Sequence, residues 1–107
     1  LHAGADIHAV EPKYKSNALH LAANKCSNPK VVEALIEAGA DVNARNYLGE
    51  TPLIMAVQSN ENTRIFSQLL ANGADVNMCD WQGHNVMEYA RREKRAYIIT
   101  ILKQLGL

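Results

Sequence analysis

The sequence predicts an all-α protein built as a solenoid, with short antiparallel helix pairs stacked in a row. Three observations predict it. Apolar residues fall at helical spacing in six short runs. Residues that start and stop helices stand between the runs. The whole arrangement recurs at a step of 34 residues, which marks a repeat architecture. Leu19, Leu53 and Met87 keep that step, as do Ala22, Ala56 and Ala90, and the pair Gly39 and Gly73. Gly4 precedes Gly39 by 35, so one residue is inserted near EPKYKS. Another slip occurs where ENTRIF at 61–66 becomes the shorter KRAYII at 94–99. One domain, 1–107, is expected, with units at 17–50, 51–84 and 85–107 entered through a tail and first loop at 1–16.

Each unit opens on a short helix: ALHLAA at 18–23, PLIMAV at 52–57 and VMEYAR at 86–91. Thr51 is an N-cap followed by Pro52, whose missing N–H would be unbonded anyway at a helix start. Asn85 with Glu88 three residues on reads as a capping box. The second helix of the first unit opens at Ser27 or Asn28 before Pro29 and carries Val31, Val32, Leu35 and Ile36 on one stripe. Ile65, Phe66, Leu69 and Leu70 repeat that stripe, and Ile98, Ile99 and Leu102 follow. Gly39 and Gly73 suit the left-handed residue that closes a helix. An extended polar turn then leads to the next unit.

Taken together, SNALHLAA, ETPLIMAV and the two GADVN lines resemble the ankyrin repeat, and the resemblance covers essentially the whole chain. It implies helix pairs stacked side by side, with hairpin-like fingers projecting at right angles. The family's Thr–Pro–Leu–His tetrad is nowhere intact: Asn17 and His20 stand in the first copy, Thr51 and Ile54 in the second, Asn85 and Glu88 in the third. His20 keeps the consensus position, where the resemblance implies a hydrogen bond to backbone between fingers. The first finger, EPKYKS, lacks the turn glycine found at 49 and 83.

The resemblance also implies a protein–protein interaction module, whose contacts lie on the finger tips and the exposed face of the first helices. Carried over position by position, the contact residues are Arg45, Tyr47, Leu48, Glu50, Gln58 and Ser59 in the second copy. The third copy supplies Cys79, Trp81, Gln82, His84, Arg92 and Glu93, and the first Val10, Pro12, Lys13, Ser16, Asn24 and Lys25. Tyr47 and Leu48 sit between two turn signals, with Trp81 on the adjoining tip. Large side chains of this kind are common binding hot spots. The competing reading has Tyr47 and Trp81 pack on each other and stiffen the row.

Little else in the chain points to chemistry. The expectation is no enzyme, no metal and no cofactor. His2, His8 and His84 share no metal-site spacing, and no Gly-rich loop starts a helix. Asp41 and Asp75 are read as turn residues that bond backbone. Eleven acidic residues balance eleven basic ones, which leaves no global field to steer nucleic acid or membrane. No apolar run approaches the roughly 18 residues of a membrane span. Cys26 and Cys79, 53 residues apart, fit neither a disulfide framework nor a zinc spacing, so a reducing cytoplasm is expected. For a bacterial effector, that compartment is the host cytosol.

The run EYARREKRAYIITILK at 88–103 holds five Lys or Arg against two Glu, and a patch for RNA or anionic lipid is one reading of it. Alignment gives another. Arg91 replaces Ala23 and Val57, and Lys103 replaces Ile36 and Leu70, so the face toward a next repeat is charged as in a terminal cap. Leu1 aligns with Ile36 and Leu70, and at least one further repeat is expected before it. The expected partner is another protein, bound by a monomer acting as scaffold, adaptor or inhibitor. No small-molecule substrate, nucleic acid or membrane is expected. The alternative is a targeting or substrate-recruiting domain of a larger enzyme or secreted effector.

Overall fold

A computed structural model describes Val10 and residues 16–107 of the chain. The described residues hold six helices and no strand: α1 (Ala18–Lys25), α2 (Pro29–Glu37), α3 (Pro52–Ser59), α4 (Thr63–Ala71), α5 (Val86–Arg92) and α6 (Ala96–Gln104). The predicted all-α solenoid is therefore the fold found. Expectations concerning Leu1, Pro12, Lys13 and the first finger lie outside the described residues.

Five of the six helices start where a side chain relieves an unpaired backbone N–H, and α6, entered from Arg95, has no such cap. Asn17, Asn28, Thr51, Asn62 and Asn85 each accept from a nearby backbone N–H at a helix start. The reciprocal capping box stands at Asn17 and His20, not at Asn85 and Glu88 as the sequence suggested. Asn85 Oδ1 does accept from Glu88 N at 3.1 Å. The Glu88 carboxylate, however, lies 4.0 Å from His84 Nε2 instead of returning to the cap.

Helices α2 and α4 end alike. Ala40 N donates to Leu35 O at 3.1 Å and Gly39 N to Ile36 O at 3.0 Å, which closes the last turn through a left-handed glycine. Gly73 and Ala74 repeat this on Leu70 and Leu69, with φ of +99° at Gly39 and +94° at Gly73. Helix α5 closes the same way on Lys94, a residue with a Cβ, at φ of 57°.

Within each unit α1 packs on α2, α3 on α4 and α5 on α6. Across units α1 lies on α3 and α3 on α5, while α2 lies on α4 and α4 on α6. Leu19, Val32, Leu53, Val57, Ile65, Phe66, Leu69, Ile98 and Leu102 fill the seams and are fully or almost fully buried. The core is aliphatic apart from Phe66 and the ring of Tyr89. Arg91 is exposed where Ala23 and Val57 are buried, and Lys103 where Ile36 and Leu70 are half-buried, so charge sits on the outer face of the third unit.

His20 ties the first unit to the second finger. Its Nδ1 accepts from Asn17 N at 3.2 Å and its Nε2 bonds the Glu50 carbonyl at 2.9 Å. A backbone donor at Nδ1 and a carbonyl at Nε2 select the neutral tautomer with its proton on Nε2. Burial holds the His20 pKa below its usual value of 6.5, despite the carbonyls of Glu50 and Ala44 and the nearby carboxylates, which favour the cation. The unfolded chain therefore takes up this proton more readily than the folded one. Stability from His20 is complete above 6.5 and is lost as pH falls from there toward the lower folded value. Thermal melting should fall between neutral and mildly acidic pH, and His20→Gln should flatten that slope while lowering stability at neutral pH. An unchanged slope in His20→Gln would assign the pH dependence to another group.

Candidate protein-interaction surface

The two described fingers are built on one plan. Asp41 Oδ1 accepts from Asn43 N at 2.9 Å, and Asp75 Oδ1 from Asn77 N at 2.8 Å, the turn-holding role read from sequence. Each tip is then closed by a hairpin-like pair of backbone bonds, Asn46 N to Glu50 O and Gly49 N to Asn46 O, repeated by Asp80, His84 and Gly83. Inside the loop one side chain collects the free N–H groups. Asn46 Oδ1 accepts from Leu48 N and Glu50 N, at 3.0 and 2.9 Å. Asp80 Oδ1 accepts from Gln82 N and His84 N, both at 3.0 Å.

Asp80 also accepts from the Tyr89 hydroxyl through its other oxygen. Burial alone would push the Asp80 carboxyl up. The Tyr89 hydroxyl and the two backbone donors outweigh it and hold the pKa below the ordinary value. Burial and the same carboxylate push Tyr89 up to about 12. Asn46 and Asp80 were missed as finger staples. Their signal was present, as an Asn or Asp followed three residues later by a glycine in both copies.

Adjoining fingers are joined at their tips and at their bases. Trp81 N donates to Leu48 O at 3.0 Å, and Asn43 Nδ2 donates to Gly73 O at 3.2 Å while Asp75 N returns to Asn43 Oδ1 at 2.8 Å. The Arg45 guanidinium lies 4.7 Å from the Trp81 ring centroid and donates through Nη2 to Cys79 O at 3.3 Å. Gly49 lies beneath the indole so closely that a Cβ there would sit 2.5 Å from Trp81 Cδ2 and 2.7 Å from Trp81 N.

Trp81 nevertheless remains 63 % exposed, with Tyr47 at 46 % and Leu48 at 43 %. Among the expected contact residues, Arg45, Ser59, Gln82, Arg92 and Glu93 are exposed as well, and Gln58, Cys79 and His84 are half-buried. Arg92 stacks over Tyr89 at 5.1 Å, and His84 meets the same ring edge-on at 5.8 Å. Ser59 opens with Asn24 and Lys25 on a polar hollow at the ends of α1 and α3.

Two expectations need correction. Glu50 is only 8 % exposed: its carboxylate turns inward and accepts from Asn46 Nδ2 at 3.0 Å, so it is part of the loop's own scaffold. Ser16 is likewise buried. A finger position is outward or inward by its place in the hairpin, and Glu50 stands where the chain re-enters the helix layer.

Among the described residues no group of three or more His, Cys, Asp or Glu is placed to hold a metal ion. No helix there is long and apolar enough to cross a membrane.

A family model for ankyrin repeats, in three copies, matches residues 19–106. The chain belongs to the ankyrin-repeat family. It is 43 % identical over 51 residues to an ankyrin repeat protein of Fowlpox virus (strain NVSL). That alignment takes in 47 % of this chain and 10 % of the viral protein, so the chain is similar to a small part of a much longer one. Ankyrin repeats are in general protein–protein interaction modules without catalysis of their own.

Proposed function

We propose that the protein binds another protein through its finger tips and the adjoining ends of its first helices, as a scaffold, an adaptor or an inhibitor that occludes its partner. The observation that carries the reading is the ledge formed by Tyr47, Leu48 and Trp81, large side chains that stay exposed at adjoining tips. Backbone bonds and the Asn46 and Asp80 staples hold the loops beneath them, so the ledge is preorganised and little ordering entropy opposes binding.

Trp81→Ala and Tyr47→Ala should each weaken partner binding by about 1–3 kcal/mol, as aromatic anchors do. Tyr47→Ala should lower stability by only about 0.5 kcal/mol. Trp81→Ala loses the stack with Arg45 as well and should lower it by about 0.5–1 kcal/mol. Titration calorimetry with a partner captured by the wild type, alongside urea unfolding, measures both quantities on the same proteins. Affinity unchanged after correction for the folded fraction would leave the aromatics as stiffeners of the row. It would also move the contact to Gln58, Ser59, Arg92 and Glu93.

A second reading draws on the viral relative, of which the matched region is one tenth. Repeats of this kind occur within much longer chains, which supports a recruiting domain attached to a larger enzyme or effector. The complete reading frame tests this directly: a catalytic domain in the same chain favours recruitment, and a chain of repeats alone favours the scaffold.

A further inference from the structure

The finger tips have an uneven distribution of charge that the family resemblance does not supply. Residues 45–50 and 79–84 contain two carboxylates, Glu50 and Asp80, and both are withdrawn from solvent. Glu50 is bound to Asn46, and Asp80 to the Tyr89 hydroxyl and two backbone N–H groups. At the finger bases, Asp41 and Asp75 each have one oxygen bound to a turn N–H. Arg45 by contrast is exposed beside Trp81, with one of its five N–H donors on Cys79 O. Among the described residues of the two tips, the outward side therefore presents Tyr47, Leu48 and Trp81 together with a cation, and no exposed carboxylate.

We infer that this ledge takes an extended acidic segment of a partner protein, in which an aromatic or branched aliphatic side chain lies close in sequence to an Asp or Glu. The inference rests on the reading of the tips as a protein-binding surface and adds the chemistry of the partner. The apolar side chain covers the open part of the Trp81 ring and Leu48. The carboxylate meets the remaining Arg45 donors, where a charge-assisted pair is shorter and stronger than a neutral bond. Placing like charge inward and opposite charge outward speeds encounter and rejects basic competitors. A single-stranded nucleic acid also stacks on aromatics beside arginine. It relies on several phosphate contacts, though, and these tips offer one arginine on a chain whose charges cancel.

The test starts from an unbiased display library of random linear peptides, selected on the intact protein. Enriched sequences are then synthesised and titrated against wild type, Arg45→Glu, Arg45→Gln, Arg45→Lys and Trp81→Ala, with folding of each variant checked by circular dichroism. The expected result is enrichment of Asp or Glu beside Phe, Trp or Leu. Affinity should drop about tenfold or more in Arg45→Glu. It should also fall as salt rises from about 50 to 300 mM in wild type and Arg45→Lys, with a shallower fall in Arg45→Gln. Arg45→Lys keeps the charge and Arg45→Gln removes it, so the salt slope separates charge recognition from support of the Trp81 ring.

Peptides without acidic bias that still depend on Trp81 would overturn the acidic-segment inference and leave the binding surface standing. Displacement of the selected peptides by a short poly-uridine oligonucleotide at lower concentration would overturn it in favour of nucleic acid. Enrichment of no peptide sensitive to Trp81→Ala would overturn both the inference and the proposed surface.

Discussion

Gly49→Ala should lower stability by about 2–4 kcal/mol, well beyond the same change at Gly83 or Gly73. All three glycines have positive φ, at +79°, +86° and +94°. An L side chain in that region costs about 1–2 kcal/mol wherever it occurs. At Gly73 and Gly83 nothing lies within 4 Å of an added Cβ, so conformational strain is the whole effect there. At Gly49 the Cβ would meet Trp81 Cδ2 at 2.5 Å, Cγ at 2.8 Å and the main-chain N at 2.7 Å. An indole can swing away. The main-chain nitrogen cannot, because Trp81 N is bonded to Leu48 O one residue from the substitution. Urea unfolding of the three alanine variants measures the difference. Equal midpoints for Gly49→Ala and Gly83→Ala would mean that the two fingers separate without loss, and that the tip contact contributes nothing. Trp81→Ala in the Gly49→Ala background should recover only the part due to the ring.

Asn60→Ala should cost about 2–3 kcal/mol, although Asn60 lies far from any finger. It is buried at the C-cap of α3, and its Nδ2 reaches across to the first unit. There it donates to Ala23 O at 3.0 Å and Cys26 O at 2.7 Å, carbonyls at the end of α1. Its Oδ1 accepts from Asn62 N at 2.9 Å. Alanine removes all three bonds and takes the shared donor from two α1 carbonyls at the edge of the polar hollow. Asn62→Ala is the comparison. It loses the bond to Ser27 O at 2.6 Å and a helix cap at a more open site, and should cost about 1 kcal/mol. Hydrogen exchange provides the decisive readout. Amides of α1 and α2 should exchange faster in Asn60→Ala than those of α5 and α6, because the lost bonds join units one and two. Uniform acceleration along the chain would mean that the protein unfolds as one block and that Asn60 clamps no particular seam.

Most of the architecture is legible without coordinates, for a physical reason. Each unit meets only its neighbours, so a helix stripe, a cap and a closing glycine that recur at a fixed step already imply the stack. Leu19, Leu53 and Met87 place the first helices, and Gly39 and Gly73 close the second ones. His20 and the turn aspartates also act as their positions suggested, because their partners are backbone groups at fixed offsets within the repeat.

What sequence leaves open is the direction of side chains whose partners are set by distance in space. Asn85 and Glu88 have the spacing of a capping box, but the Glu88 carboxylate lies toward His84 and not back over the cap. Glu50 stands two residues from the exposed Leu48, yet its carboxylate is drawn inward to Asn46. Asn60 and Asn62 read as ordinary loop residues until the preceding unit is placed against them. The repeat period, helix ends and choice of exposed strip were thus determined by the sequence itself, through local backbone preference and the burial of one helical stripe. Only tertiary structure decided which polar side chains face solvent. A buried carboxylate or amide is stable where donors from another segment converge on it, and that convergence has no linear signature.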